Sequence, residues 1–394
     1  MTKRNAILLI LGIIIIGGLI FGIFLVQKWN QPLGESLALA TQTPSAGSSQ
    51  TELGVSSGVT ATAFQPKEAN SDEQSNPEPT TIPTTTAIPT ATPEPLCGGP
   101  AKMTVLALGV DSGGDNDYLY GLADVIKIAR IDFVTPRVSV ISLPRDLWVQ
   151  IPGIEDFGVT EGKLNQSYFY GTKGMGYYDG PGGAPGLMAR TLQENFGLTV
   201  DHYGTVNMVT FKKMVDAVGG IDVYLPTDVD GRPVDDHTED MGYFYAGNNH
   251  FNGDAALRFS RIRKTDTIFA RMDRQKMVIC ALKDKLLQPS VIGDIPELIA
   301  SFQGSIVTDL SPAQMSQMAC LLPKLSDENI IFGGIPQEEL TMSRQWDARQ
   351  GYYTFVWAIE NNVVRDYIER FEEGTWPVSE GSSGSCPPPV QVGQ

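Results

Sequence analysis

Histidine is scarce, with 3 in 394 residues. That weakens any zinc centre or Ser-His-Asp triad, since both draw on imidazole. The 4 cysteines, at 97, 280, 320 and 386, show no CxxC spacing, which argues against a structural zinc site. Positive charge is short as well. Lys and Arg total 29 against 45 Asp and Glu, a formal net charge of −16. So acidic a chain is no general nucleic-acid binder, because phosphate neutralisation needs a Lys/Arg-rich face.

One long charge-free apolar run is present, residues 6–26. It meets the ~20 residues needed to cross a bilayer. A cleavable signal has a shorter apolar region, about 7–15 residues, so the run reads as an uncleaved signal anchor. Lys3 and Arg4 place residues 1–5 in the cytoplasm and the rest outside. Residues 27–100 are rich in Thr, Pro and Ser and poor in large apolar side chains. Such a stretch buries too little surface to offset its ordering entropy. It reads as a disordered linker that reaches roughly 200 Å in a polyproline-like form at ~3.1 Å per residue. Residues 101–373 form the extracytoplasmic globular part. Residues 374–394, rich in Pro, Ser and Gly, read as a disordered tail.

Within the globular part, Val138 to Leu143 is an apolar β-type run that ends at Pro144-Arg145-Asp146. Asp124 to Asp132 is a second run, and Phe133-Val-Thr-Pro136 reads as the turn between them. A hairpin folded near Val134 and Thr135 sets Asp124 opposite Arg145. That pair serves metal-assisted phosphate chemistry, and a structural salt bridge looks the same. Met103 to Val110 reads as a buried strand with Asp111 at its end. Leu187 to Phe196 and Phe211 to Val218 read as helices, and Tyr203 to Val206 and Ile221 to Leu225 as strands. Past residue 287, residues 294–325 read as helices, and 341–371 as a loop followed by a final helix.

Leu257-Arg-Phe-Ser-Arg-Ile-Arg263 reads as a strand, with Arg261 and Arg263 on one face by period 2. A helix is expected from about Phe269 to Leu287. It places Arg271, Arg274 and Gln275 on one face, at i, i+3 and i+4. Arginines near a helix N-terminus oppose the macrodipole, and an anion there resolves the conflict. Guanidinium forks fit phosphate oxygens. Asp111 and Asp124 suit Mg²⁺, with Mn²⁺ as the alternative, because Mg²⁺ binds through one or two carboxylates plus substrate phosphates. The set matches a pyrophosphate–metal site.

Taken in order, these motifs resemble the LytR-CpsA-Psr family. The likeness rests on Leu106-Ala-Leu-Gly-Val-Asp111, Ala123-Asp124-Val, Val140-Ile-Ser-Leu-Pro-Arg-Asp146, Lys163-Leu-Asn165 with Tyr168 and Tyr170, Phe211 to Val223, Leu257 to Arg263, and Arg271-Met-Asp-Arg-Gln275. The resemblance implies an α/β fold, a mixed central β-sheet covered by helices on both faces. It implies an Mg-dependent phosphotransferase that moves a glycopolymer from a polyprenyl-pyrophosphate carrier to cell-wall peptidoglycan. Asp111 and Asp124 are then the metal ligands. Arg145, Arg261, Arg263, Arg271, Arg274, Gln275, Lys163 and Asn165 are the pyrophosphate-binding set. Arg145 and Asp124 act in catalysis, with Asp146 a candidate base by position.

Two departures stand out. Leu122 occupies the place of the family's arginine before Asp124, and Ile268 that of an aspartate before the helix arginine. Lys127, Arg130 and Arg258 are the candidates to replace the missing cation. The departures keep two rivals open, a non-catalytic binder of polyprenyl phosphates or wall glycans and a polyprenyl-pyrophosphate pyrophosphatase. Cys280 and Cys320 fall on separate expected helices, and Cys97 and Cys386 bracket the globular part. Disulfides are expected outside the cytoplasm, with three pairings available.

Overall fold

The computed structural model describes residues 27–37, 93–113, 118–236, 238–263, 267–378 and 386. The expected anchor at 6–26, most of the linker and most of the tail lie outside them. Among the described residues no helix is long and apolar enough to cross a membrane. The elements below belong to one unit, residues 1–39 with 94–394.

The first strands are β1 (Lys102–Val110), β2 (Ala123–Asp132), β3 (Arg137–Ser142), β4 (Trp148–Gln150) and β5 (Glu161–Lys163). Helices α1 (Leu164–Tyr170) and α2 (Gly183–Phe196) precede β6 (His202–Asn207), α3 (Met208–Ala217) and β7 (Ile221–Leu225). Next come β8 (Val229–Asp230), β9 (Tyr243–Phe244), β10 (Gly247–Phe251), α4 (Gly253–Arg261), α5 (Ile268–Leu286), α6 (Pro289–Ile292) and α7 (Ile295–Ser301). The chain closes with β11 (Val307–Thr308), α8 (Pro312–Leu321), β12 (Ile330–Gly334), β13 (Thr341–Asp347), β14 (Tyr352–Ala358) and α9 (Asn361–Glu373).

β1 is central because its residues are apolar on both faces, as a strand covered from both sides requires. The main sheet has six strands in the order β11-β6-β1-β2-β3-β12. β1 runs antiparallel to β2 and parallel to β6, and β3 runs parallel to β12. The sheet is therefore mixed, as expected. On one face Leu106, Leu108, Ile126, Ile128 and Ile141 pack with Leu187, Met188 and Leu192 of α2 and with Val364, Ile368 and Phe371 of α9. On the other face Val105 and Ile131 pack with Leu321 of α8, and Val140 and Phe332 with Cys280 of α5. A lobe of β7, β10, α3, α4 and α5 has its own apolar centre at Val215, Ile221, Phe251, Phe259 and Val278.

Two expected elements differ. The stretch 257–263 is not a strand. Helix α4 covers it up to Arg261. Asn252 caps that helix by accepting from Ala255 N at 2.9 Å, and Asp254 pairs with Arg258 one turn on. Ala256 and Phe259 face the lobe core. The loop expected from 341 is the antiparallel hairpin β13–β14. Trp346, Tyr352, Tyr353 and Phe355 are exposed while Thr354, Val356 and Trp357 are buried, so most of its aromatic rings lie on the solvent side and the apolar pattern expected of a half-buried strand is inverted.

The disulfides are Cys97–Cys320 and Cys280–Cys386, so neither of the two pairs grouped by sequence position forms. The second ties residue 386, within the expected tail, to α5. Trp376 also packs against Tyr367 of α9.

Residues 31–37, read as linker, lie on the domain. Leu33 N donates to Leu310 O at 3.3 Å, and Tyr203 Oη donates to Glu35 O at 2.9 Å. A Cβ on Gly34 would sit 2.5 Å from Thr308 O, so the close approach requires glycine. Leu37 packs against the main core.

Candidate active site

The β2–β3 register pairs Lys127 with Ser142 and Asp132 with Arg137. Leu143 N continues it by donating to Ile126 O at 3.1 Å. The same register carries Asp124 to a position opposite Arg145, where the two form an ion pair. Arg145 Nε also meets Asp146 Oδ2 at 3.3 Å, and Lys163 Nζ meets Asp146 Oδ1 at 3.0 Å. Both Asp146 oxygens are thus engaged with cations. Asp146 braces Arg145 and Lys163, which does not suit the expected free base. Asn165 N donates to Arg145 O at 3.0 Å and so holds the same backbone.

Asp124 and Arg145 open onto a cavity of about 840 Å³ between the main sheet and the lobe. Its sheet wall carries Ala107, Gly109, Lys127 and Val206. Its lobe wall carries Phe211, Leu257 and Val278. Asp111, Arg145, Arg261, Arg263, Arg271 and Gln275 all line it, as expected. Lys163, Asn165 and Asp146 do not. They stand behind Arg145. Arg274 is also absent from the walls. It is buried and donates through Nη2 to Ile262 O, which holds the turn that carries Arg263. The i+3 spacing from Arg271 points it toward the backbone of that turn and away from the cavity.

Arg261 and Arg263 reach the cavity by a route other than strand alternation. Helix α4 ends at Arg261, and the chain turns extended at Ile262. Glu239, which the sequence reading missed, pairs with Arg261 at 3.0 Å and also lines the cavity. Of the three replacement cations, Lys127 alone lines the cavity. Arg130 sits beside Asp132, and Arg258 is held by Asp254. The signal for Lys127 is a lysine between two isoleucines, Ile126 and Ile128, in a strand.

Electrostatics point to a missing anion. Burial, then the charge of Arg145, pull the Arg271 pKa down to about 10. Its Nε is buried and has no hydrogen-bond partner among the described residues. Burial drives the Lys127 pKa down to about 8, with Arg271 contributing and Asp273 opposing. Burial works against the charge of Arg145, but Asp124 and Asp146 outweigh it and hold its pKa above the ordinary value.

Two carboxylates suit a divalent cation here. Burial raises the Asp111 pKa, Leu122 N–H opposes the rise, and the Asp124 charge adds to it. Asp111 Oδ1 accepts from Leu122 N at 2.6 Å, which fixes its direction. A cation between Asp111 and Asp124 would relieve their repulsion. Among the described residues no cluster of three or more His, Cys, Asp or Glu is gathered at one point. Mg²⁺ is an ion that binds through one or two carboxylates with substrate phosphate and water.

A model of the LytR_cpsA_psr family matches residues 60–364. The chain belongs to this family. The polyisoprenyl-teichoic acid–peptidoglycan teichoic acid transferase TagU of Enterococcus faecalis is 29% identical over 241 residues, 60% of this chain and 69% of that protein. TagV of Bacillus subtilis, named for the same transfer, is 30% identical over 192 residues, 48% of this chain and 45% of that one. The chain therefore spans about half to two thirds of these relatives' lengths. The crystal structure of B. subtilis TagV superposes with a TM-score of 0.51 at 23% identity, covering 69% of this chain and 97% of that one. Protein gbs0355 of Streptococcus agalactiae gives 0.54 at 22% identity, covering 68% and 87%. These two likenesses establish the LytR_cpsA_psr fold.

Proposed function

We propose that this LytR_cpsA_psr protein is a membrane-anchored, extracytoplasmic phosphotransferase. It moves a glycopolymer from a polyprenyl-pyrophosphate carrier to peptidoglycan. One observation carries the reading: Arg145, Arg261, Arg263, Arg271 and Gln275 line, together with Asp111 and Asp124, one large cavity whose other walls are largely apolar. A polyprenyl chain matches the apolar walls, and a pyrophosphate matches the cations. The relatives' names specify such a donor and acceptor. The two disulfides fit an oxidising compartment, and the run at 6–26 supplies the anchor.

In the transfer, an acceptor hydroxyl oxygen bonds to the phosphorus that bears the glycopolymer. The bond from that phosphorus to the bridging oxygen breaks. Polyprenyl monophosphate leaves with the bond's electron pair, and the hydroxyl proton is lost to a base or to water. Arg145 and Arg271 hold the non-bridging oxygens and stabilise the charge that grows on them. Lys127 supplies the cation absent at Leu122. Mg²⁺ at Asp111 and Asp124, or Mn²⁺ in its place, would neutralise phosphate charge.

The test is single-turnover transfer by the full chain in nanodiscs, using a short-chain polyprenyl-pyrophosphoryl sugar and a peptidoglycan oligomer, with and without Mg²⁺. Arg145→Ala is expected to lower the rate about 10²–10³-fold, as removal of one positioned donor does. Turnover equal to wild type in that variant would refute the reading.

A further inference from the structure

The site described above holds the donor. The strongest feature outside the cavity is the outward face of the β13–β14 ribbon. Met342, Trp346 and Tyr353 are 72%, 51% and 60% exposed, and Phe355 is 42% exposed. On the opposite face Thr354, Val356 and Asp347 are buried, Val356 at 0%. The register sets Trp346 across from Tyr353, Arg344 across from Phe355, and Met342 across from Trp357. These three pairs share one face.

The face begins behind Arg145, outside the cavity. Trp357 N donates to Asp146 O at 2.9 Å, next to Arg145. The Trp357 ring meets Phe269 edge to face at 6.2 Å, and Phe269 opens the helix that carries Arg271 and Gln275. Phe355 packs on Trp357 at 5.2 Å, and Trp346 and Tyr353 meet at 5.5 Å farther out. The result is a line of rings that starts at the buried Trp357, next to the strand end that carries Arg145, and runs outward along the ribbon. Arg344 Nη2 donates to Tyr353 O at 3.2 Å, which keeps the guanidinium along the ribbon between the two ring pairs.

We propose that this face binds the glycan strand of the acceptor, an uncharged β-linked sugar polymer, and delivers its hydroxyl to the donor phosphorus. The proposal rests on the transferase reading and adds the place where the acceptor lies. Pyranose rings present C–H faces that pack on aromatic planes and hydroxyl edges that pair with Arg, Trp and Tyr. Same-face positions repeat every ~6.8 Å along a strand, close to the scale of a sugar unit. Contiguous exposed aromatics with an arginine among them are the composition of a binding face. Exposed Glu338, Glu339 and Glu360 flank the ribbon. Those carboxylates disfavour an anionic membrane surface and an anionic polymer, and they leave an uncharged glycan as the fitting partner.

The experiment uses the full chain in nanodiscs of uncharged lipid. It compares wild type, Trp346→Ala/Tyr353→Ala and Arg145→Ala. Each is sedimented with peptidoglycan sacculi stripped of secondary polymers, and each is challenged with anionic phospholipid vesicles added in trans. Both platform side chains are more than half exposed, so the double variant keeps the wild-type urea midpoint. It is expected to bind sacculi at least about tenfold more weakly, the loss typical of removing anchor aromatics. Its KM for a soluble peptidoglycan oligomer rises while kcat is kept. Arg145→Ala loses turnover and keeps sacculus binding. Wild-type-like sacculus binding by the double variant would overturn the proposal. So would wild type that fails to bind sacculi, or a loss confined to the vesicles. Ribbon-dependent binding without any Arg145-dependent turnover would instead defeat the transferase reading and leave a glycan-binding face.

Discussion

At the scale of single residues, the cations of the site differ in whether a carboxylate meets them. Arg145 has Asp124 and Asp146, whereas Arg271 is buried with an unpaired Nε. Arg271→Ala is therefore expected to raise KM for the donor and to lower single-turnover rate by about 10²-fold or more. Lys127 yields a pH prediction. Its folded pKa, about 8, lies below the value near 10.4 of an unfolded lysine. Below pH 8 both states carry the proton, and the folded state bears the full burial cost. Between about pH 8 and 10.4 the unfolded chain binds more protons, so stability rises with pH. Lys127→Met should flatten that rise and gain on the order of 3 kcal/mol at pH 7 by urea unfolding. The same substitution should lower donor turnover and abolish an alkaline limb in kcat/KM near pH 8. Residue identity made most of this site legible in the sequence. Asp111, Asp124, Arg145, Arg261, Arg263, Arg271 and Gln275 were all assigned from charge and spacing, and all line the cavity. Arg274 was misassigned because helical spacing gives a direction only to about a quarter turn. At that resolution a side chain that braces backbone looks like one that faces a ligand.

At the scale of elements, the β2–β3 hairpin follows from two apolar runs and a turn, and its register follows from the turn's position. That register alone brings Asp124 to Arg145. Helix α4 was read as a strand because Leu257-Arg-Phe-Ser-Arg-Ile-Arg263 alternates. The deciding signals lie upstream, in the Asn252 cap and the Asp254–Arg258 pair. Asn252→Ala should cost about 1 kcal/mol in urea unfolding. Because α4 leads directly into Arg261 and Arg263, the same change should also weaken donor binding. The β13–β14 ribbon was illegible for a different reason. Hydrophobic patterning finds strands that bury one apolar face, and this ribbon turns its rings outward.

At the scale of the whole molecule, the mixed sheet with helices on both faces was expected from the family resemblance, whereas the strand order was not. Nor was disulfide connectivity, because pairing depends on which chain segments meet. Cys280–Cys386 closes a sequence separation of 106 residues onto the helix that carries Arg271. Cys280→Ser/Cys386→Ser is expected to cost about 2–4 kcal/mol, read as a lower urea midpoint. The seating of residues 31–37 bears on reach. Residues 31–37 and residues 94 onward belong to the same unit, so the segment between them is joined to it at both ends. Its length then has no bearing on how far the site stands from residue 33, and each doubling costs only about 0.6 kcal/mol of closure entropy. From the end of the proposed anchor at Val26 to the first seated residue, Leu33, seven peptide units extend at most about 25 Å. With the proposed anchor ending at Val26, that distance is the leash on which the domain would be held, whatever the length of the Thr- and Pro-rich segment.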